Sequence, residues 1–295
     1  MTSRITGLKR FVEVTSSGRR TLHIGSGEPL VLLHMGANPW SKWQPVLPYL
    51  LDRFEIIAPT LAGWAGGIPL DGPITLDHVT RGVVEEMDRA GFQSAHIIGC
   101  SMGGTAALGV ARAGRARSAL AICPAGGSGT EQTERLVRHF EMLQNLSWLR
   151  RLLAPIVLSR PQMRRAALRA VLEHGDRISA RQAIALGKNS ANGDWENILL
   201  GFSAFQLDVA PEVTVPFMLA WGEKDRFTPM VHEQPLWQKA VPHAESHILS
   251  GVGHLPMFDD PHQTGQLMRS WLDRQASGTV VGGLPREESM QTPTD

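Results

Sequence analysis

The sequence lacks the features that define several large classes of protein. It has only two cysteines, Cys100 and Cys123, in 295 residues, so no disulfide framework is expected. Its 29 basic and 28 acidic side chains leave a formal net charge of +1, which gives no strongly basic surface for nucleic acid. No apolar run reaches membrane-spanning length, and residues 1–11 contain no apolar core of signal-peptide length. We therefore expect a soluble, cytoplasmic protein that binds neither nucleic acid nor a membrane.

What the chain does contain is typical of a globular α/β protein. Hydrophobic residues make up 42% and charged residues 19%, and the length suits one large domain or a domain with an insertion. Short apolar runs alternate with segments of helical periodicity, a pattern that predicts a parallel sheet covered on both faces. The expected strands are 9–14, 21–24, 30–33, 54–57, 94–98, 118–123, 215–221 and 246–249. The expected core helices include 45–51, 75–90, 230–240 and 261–274.

The alternation is interrupted after residue 124. Between residues 131 and 204 there are several helical stretches and no clear strand, which predicts a helical insertion that lies over the core as a lid. We therefore divide the chain into a core of residues 1–125 and 205–278 and a lid of residues 126–204. Residues 279–295 have no core-forming pattern and are expected to form a flexible C-terminal tail.

The central motif is Gly99-Cys100-Ser101-Met102-Gly103-Gly104, between an apolar strand and a helix of small residues. A strand that runs into G-x-S-x-G and then into a helix is typical of a nucleophile elbow. Gly99 and Gly103 remove side-chain bulk from a very tight turn, which lifts the Ser101 hydroxyl above the sheet. Because a serine hydroxyl is a poor nucleophile by itself, the elbow predicts a histidine and a carboxylate further along the chain.

Two later loops supply those groups, each at the carboxyl end of an expected strand. Asp225 follows the strand 215–221, and the alternative is that it only caps the helix that begins near residue 229. His254 lies in the loop Gly251-Val252-Gly253-His254-Leu255-Pro256, and the alternative is an ordinary exposed loop histidine. The chain order Ser, Asp, His is the order of α/β-hydrolases, and it favours the catalytic interpretation of both.

These motifs resemble those of the α/β-hydrolase fold superfamily over about residues 9–275. The elbow, the acid loop G-E-K-D-R-F-T-P and the histidine loop G-V-G-H-L-P-M carry the resemblance. It implies an α/β fold: a mostly parallel eight-stranded sheet, helices on both faces and an inserted helical lid. It also implies a catalytic triad of Ser101, Asp225 and His254, with no cofactor and no metal.

The same resemblance assigns an oxyanion hole. One donor is the backbone N–H of Met102, the residue after the nucleophile. The other belongs to the loop after the third strand, where relatives often have His-Gly followed by the donor residue. This chain has His34-Met35-Gly36, so Gly36 is the expected donor, and Met35 and Ala37 are the alternatives.

Several other polar residues are expected to be structural. His34 is predicted to hold its own loop, and His96 to be packed within a strand. Asp259 and Asp260 are predicted to cap the final helix, which begins at Pro261. No His, Cys and Asp cluster has the spacing of a metal site.

The reaction expected from these residues is acyl transfer. We predict a carboxylesterase-like serine hydrolase that cleaves a small to medium carboxylic ester or lactone through an acyl-enzyme. Alternatives are hydrolysis of carbon–carbon bonds in ring-cleavage products and a ligand receptor that retains the triad. Serine at the elbow argues against haloalkane dehalogenase and epoxide hydrolase chemistry, for which relatives use aspartate there. The expected partner is a small-molecule substrate, and the expected state is a monomer or homodimer.

Overall fold

The computed structural model describes residues 11–16, 18–36, 40–126, 147–189, 193–204, 207 and 212–276. Its sheet has eight strands in the order β1-β2-β4-β3-β5-β6-β7-β8. Only β2 runs antiparallel to its neighbours β1 and β4, and the other pairs are parallel. The predicted mostly parallel α/β-hydrolase sheet is confirmed. The strands are β1 (Val12–Val14), β2 (Arg20–Gly25), β3 (Glu28–Leu33), β4 (Phe54–Pro59), β5 (Ala95–Cys100), β6 (Ala116–Ile122), β7 (Phe217–Gly222) and β8 (Glu245–Leu249).

The centre of the sheet is buried on both faces. Every residue of β5 and of β7 is buried, which explains why these strands are near-continuous apolar runs rather than alternating ones. The one histidine among them, His96, places Nδ1 2.9 Å from Ser118 Oγ and Nε2 3.4 Å from Glu28 Oε2. His96 is therefore a packed strand residue with polar partners, as predicted.

The core helices follow the sequence pattern closely. They are α1 (Leu76–Arg89), α2 (Met102–Arg112), α7 (Met230–Ala240), α8 (Pro256–Asp259) and α9 (Pro261–Ala276). The hydroxyl of Thr75 accepts a hydrogen bond from His78 N at 3.1 Å and so caps the start of α1. Residues 102–111 of α2 are all buried, which places this helix in the interior behind the elbow.

The helix predicted over 45–51 is wrong. The chain instead forms two short 3-10 turns, Trp40–Lys42 and Leu47–Tyr49, with irregular turns between and after them. Pro45 and Pro48 have no N–H to donate, so a continuous α-helical ladder cannot form there. The compact turns nevertheless bury Trp43 and Leu47 against the sheet.

The described residues between β6 and β7 form four helices: α3 (Ser147–Ser159), α4 (Pro161–Leu168), α5 (Ala180–Asn189) and α6 (Trp195–Ala204). We call them, with the segments that join them, the helical insertion; none of its described residues forms a strand. Its interior is organised by Arg164, which is buried and whose guanidinium donates to four backbone carbonyls. The acceptors belong to Leu158, Ser159, Gly175 and Asp176.

The helical insertion is also bonded to the core at the loop after β4. Trp64 forms a β-bridge with Gly193, Asp194 N donates to Gly63 O at 2.8 Å, and the rings of Trp64 and Trp195 are 5.0 Å apart. In the parts of the chain that the structure describes, no helix has the length and apolar character to cross a membrane. The predicted tail 279–295 lies outside the described residues.

Candidate active site

Ser101 occupies the turn between β5 and α2 with φ 56° and ψ −122°. A positive φ is unfavourable for a residue with a side chain, so this is a strained position that the surroundings must enforce. A Cβ on Gly99 would meet Gly103 O at 1.9 Å, and a Cβ on Gly103 would meet Leu33 O at 2.1 Å. Larger residues at either glycine would push the backbones apart, and the close approach explains the G-x-S-x-G pattern.

The elbow is fixed to its neighbouring strand by backbone hydrogen bonds. Ser101 N donates to Ile122 O at 2.9 Å, and Ser101 O accepts from Gly104 N at 2.8 Å and from Ala125 N at 3.3 Å. Cys100, on the other side of the serine, directs Sγ at His254 O over 3.8 Å. The elbow is thereby linked to β6 and to the histidine loop.

Asp225 and His254 lie side by side on the loops after β7 and β8. His254 Nδ1 is 3.0 Å from Asp225 Oδ2, and both side chains are almost fully buried. Asp225 Oδ1 accepts from the backbone N–H groups of Phe227 at 2.8 Å and Thr228 at 3.0 Å. Burial acts to raise the pKa of Asp225, but the charge and hydrogen bond of His254 and these two N–H groups outweigh it and lower that pKa.

The predicted alternative for Asp225 was capping of the following helix. The structure instead uses Oδ1 to cap the turn 225–228, while α7 begins at Met230. Its other oxygen, Oδ2, is left to face the histidine. His254 is buried rather than exposed, so the alternative of an ordinary surface histidine is wrong.

Thr228 is a residue at this site that the sequence analysis missed. Its hydroxyl lies 3.0 Å from Asp225 Oδ2, 3.1 Å from His254 Nδ1 and 3.2 Å from Cys123 O. One hydroxyl proton cannot serve all three groups, so Thr228 donates to an oxygen and offers its own oxygen to the Nδ1 proton. Phe227 adds a ring contact to His254, with centroids 4.7 Å apart. The spacing Asp-x-x-Thr within one loop is a signal that could have identified Thr228.

The ligand atoms of Cys123, Asp225 and His254 lie within 4.8 Å of one another, which is compatible in principle with metal binding. The atoms concerned are already engaged, since Nδ1 and Oδ2 bond each other and Gly222 N donates to Cys123 Sγ at 3.4 Å. Burial also raises the pKa of the Cys123 thiol, which keeps it in the protonated form that binds metals poorly. This cluster fits support of the Asp225–His254 pair better than a resident ion.

His34 holds the loop after β3, as predicted. Its Nδ1 donates to Met35 O at 2.5 Å, and its Nε2 accepts from Leu61 N at 2.9 Å. Burial lowers the pKa of His34 to about 4, which keeps the ring neutral and fits one donor and one acceptor nitrogen. Because N–H and C=O point in opposite directions across a trans peptide, the Gly36 N–H is turned away from His34. Ala37, an alternative donor, lies outside the described residues.

Asp259 and Asp260 differ in role, so the prediction for Asp259 is wrong. Asp260 Oδ1 accepts from Gln263 N at 2.9 Å and caps α9 as expected. Asp259 instead accepts from three backbone N–H groups, of Gly253, Glu173 and His174. Two of these donors are about 85 positions earlier in the chain, so no local pattern identifies them.

A small apolar cleft, with a volume of about 30 Å³, lies beside Met102 at the start of α2. Its walls come from the start of α1, from α2 and from α6 of the helical insertion, and they include Ile74, Leu76, Val79, Met102, Ala106 and Gly201. Met102 directly follows Ser101, but Ser101 itself does not line the cleft. The cleft therefore marks apolar surface between the core and the helical insertion, close in sequence to the elbow.

Lys42 is a buried lysine whose charge acts on His34 and Cys100. It ends the first 3-10 turn, is 4% exposed, and makes no ion pair with any residue that the structure describes. Burial lowers the pKa of Lys42 to about 7. An ammonium without a counter-charge destabilises the fold whenever it is protonated.

We expect Lys42→Met to stabilise the protein most below pH 7. Between pH 7 and pH 10.5 the unfolded chain keeps the lysine proton that the folded chain has lost, so the wild type gains stability as pH rises. The advantage of methionine should be ~4 kcal/mol at pH 6 and should shrink toward pH 10. Urea unfolding at several pH values measures it, with Lys224→Met, at an exposed lysine, as the control. An advantage that does not change with pH would contradict the burial argument.

Comparison with known proteins agrees with the fold and the motifs. Residues 30–267 match the model of the alpha/beta hydrolase family. A 2-hydroxy-6-oxononadienedioate/2-hydroxy-6-oxononatrienedioate hydrolase from a Pseudomonas species is 25% identical over 91% of this chain and 98% of its own length. The epoxide hydrolase EphH of Mycobacterium tuberculosis is 25% identical over 69% of this chain and 96% of its own.

Among solved structures, a thermophilic esterase from Thermogutta terrifontis superposes with a TM-score of 0.69 at 19% identity. The superposition covers 90% of this chain and 97% of the esterase, so the two share a fold over nearly their whole lengths. The family match spans well over half of the chain and includes the elbow and both later loops. The chain therefore belongs to the alpha/beta hydrolase family, and it is a hydrolase by fold and by sequence.

Proposed function

We propose that this protein cleaves a small to medium carboxylic ester or lactone through an acyl-enzyme on Ser101. The observation that carries the proposal is the 3.0 Å contact between His254 Nδ1 and Asp225 Oδ2, on the rim of the sheet where the elbow presents Ser101. Because Asp225 holds the proton on Nδ1, the lone pair of His254 is on Nε2, where a base for the serine is needed.

The reaction then proceeds in two halves. Ser101 Oγ attacks the carbonyl carbon as His254 Nε2 takes its proton, and the tetrahedral oxyanion is stabilised by the N–H groups of Met102 and Gly36. His254 returns the proton to the leaving alcohol, which leaves an ester on Ser101. Water activated by the same imidazole attacks that ester and releases the acid.

The apolar cleft beside Met102 supports an apolar acyl or alcohol group. We propose that the helical insertion is the lid over this cleft, since α6 contributes Gly201 to its wall. A lid that excludes water strengthens every charge interaction beneath it. Selectivity among acyl groups should come from this lid and the nearby loops, because the triad acts on the ester group and not on the acyl chain.

A hydrolysis screen of purified protein tests the proposal. p-Nitrophenyl esters of increasing acyl length and a set of lactones are assayed for kcat/KM, and labelling by a fluorophosphonate reports a reactive serine independently of the substrate. We expect labelling of Ser101 and saturable turnover of at least one short or medium ester. Labelling without ester or lactone turnover would contradict the ester assignment, and absence of both would favour the ligand receptor.

The second candidate is carbon–carbon bond hydrolysis, which the Pseudomonas relative favours. The dienedioates in its name contain carboxylates, a ketone and an enol but no ester, so their hydrolysis must break a carbon–carbon bond. The same serine, histidine and aspartate can serve both reactions. Comparison of kcat/KM for a 2-hydroxy-6-oxo-dienoate with that for the best ester decides between them. We do not propose epoxide hydrolysis from the similarity to EphH, because Ser101 stands where epoxide hydrolases carry aspartate.

We expect Thr228→Val to lower kcat for the best ester by about 10- to 100-fold. The substitution keeps the side-chain shape but removes a hydroxyl that contacts both Asp225 and His254, and a hydrogen bond to a charged group is of that size. Thr264→Val is the matched control, because Thr264 is equally buried but its hydroxyl donates to Asp260 O, just before α9 and away from Asp225 and His254. If the two variants have equal activity, the Thr228 hydroxyl does not contribute to catalysis.

A further inference from the structure

The connection after α4 lies against both loops that carry the proposed acid and base. On the histidine loop, Leu255 N donates to Val171 O at 3.0 Å. On the acid loop, Arg226 forms an ion pair with Glu173, with Nη2 and Oε2 2.6 Å apart. We call residues 169–174 the docking segment. It belongs to the helical insertion, yet its contacts reach the neighbours of both Asp225 and His254.

Asp259 is the centre of this junction. Its Oδ2 accepts from Gly253 N at 2.7 Å and from Glu173 N at 2.9 Å, and its Oδ1 accepts from His174 N at 2.7 Å. The side chain is 3% exposed and has no cationic partner among the described residues. Three N–H donors therefore solvate a buried carboxylate, one from the histidine loop and two from the docking segment of the helical insertion.

The Gly253 bond matters because Gly253 directly precedes His254. The carbonyl groups of this segment also have partners. The Cys123 thiol faces Gly253 O, and the Cys100 thiol faces His254 O. The imidazole position therefore depends on a short backbone segment in which the Gly253 N–H, directly before His254, is held by the Asp259 carboxylate. If the helical insertion undocks, Asp259 loses two of three donors, and the buried charge is no longer satisfied.

We propose that Asp259 is a positioning residue that makes the placement of His254 depend on docking of the helical insertion. The inference rests on the proposed function, in which His254 is the base. In consequence the lid acts on catalysis in two ways: it covers the cleft, and it completes the support of the base. An undocked lid would leave Ser101 in its elbow but His254 poorly aligned with Asp225.

The test compares Asp259→Asn with Asp260→Asn, two neighbouring carboxylates of which, within the described chain, only the first hydrogen-bonds to the helical insertion. An asparagine at 259 must turn its NH₂ group toward at least one N–H donor, so one or more of the three bonds is lost. We expect kcat for the best ester to fall by about 30-fold with KM changed less than about twofold, since the base is misplaced while the cleft is intact.

A readout that needs no substrate separates this inference from the ester proposal. The proton on His254 Nδ1 gives a downfield ¹H NMR resonance when it is hydrogen-bonded to Asp225, and its assignment is checked by its loss in Asp225→Asn. We expect the resonance to broaden or vanish in Asp259→Asn and to persist in Asp260→Asn. Persistence in both variants would overturn the inference, whichever bond the enzyme cleaves.

A purely structural role for Asp259 predicts a different result. Asp259→Asn would then lower the melting temperature but keep the wild-type kcat and NMR resonance, and that result overturns the inference. If Asp259→Asn does not fold, Glu173→Gln replaces it, because Glu173 ties the docking segment to Arg226 from a more exposed position. We then expect about a threefold loss of kcat and a broadened resonance of the His254 Nδ1 proton. A wild-type kcat with an unchanged resonance would contradict the docking argument.

Discussion

Ser101→Ala is expected to lower kcat for the best ester by about four orders of magnitude or more, while the protein remains folded. Alanine keeps the Cβ and therefore the same strained φ, so the elbow geometry is retained and only the nucleophilic oxygen is removed. Residual catalysis should come from the oxyanion donors and from substrate binding. Steady-state kinetics give the loss, and a melting curve verifies the fold.

The control is Ser94→Ala, at a serine whose hydroxyl accepts from Arg117 Nε on the surface. It should keep full activity and full labelling by the fluorophosphonate, whereas Ser101→Ala should lose both. A Ser101→Ala protein with a tenth of wild-type turnover would mean that another group is the nucleophile.

Asp225→Asn is expected to lower kcat by about four orders of magnitude with little change of KM. The asparagine NH₂ group can donate to His254 Nδ1, which favours the tautomer with its proton on Nε2, and this tautomer cannot accept the proton of Ser101. The cap of the turn 225–228 should survive, since the remaining carbonyl can accept from Phe227 N and Thr228 N. The defect should therefore be chemical and the melting temperature only modestly lower.

Asp71→Asn, at an almost fully exposed carboxylate, is the control for charge removal alone. It should leave both kinetic parameters unchanged. If Asp225→Asn is close to wild type while Asp259→Asn is inactive, then the acid of the triad has been assigned to the wrong carboxylate.

Local sequence patterns were sufficient to predict most of the strands and helices of the core. Strands such as β7 are short apolar runs with turn residues at both ends, and their bounds agree with the prediction to within about two residues. The error over 45–51 has a local cause as well, because Pro45 and Pro48 cannot donate to an α-helical hydrogen-bond ladder. The lid boundaries remain a prediction, since residues 127–146 lie outside the described residues.

The residues of the candidate site also differ in whether a local sequence motif can identify them. Ser101, Asp225 and His254 could be proposed from the sequence because each sits in its own short motif and their order along the chain is that of α/β-hydrolases. Asp259 was misassigned because its partners Glu173 and His174 come from a distant segment that only the folded chain brings near. Side chains that support a catalytic residue from across the fold leave no spacing in the sequence to detect.

The two cysteines have a practical consequence for the bench. Cys100 and Cys123 are fully buried beside the elbow and the Asp225–His254 pair, and burial raises the pKa of both thiols. A water-soluble disulfide reagent can modify them only after the active-site rim opens, because it needs an accessible thiolate. The enzyme should therefore keep its activity in air without reductant. The rate of thiol modification would then measure how often local opening at this end of the sheet exposes Cys100 and Cys123.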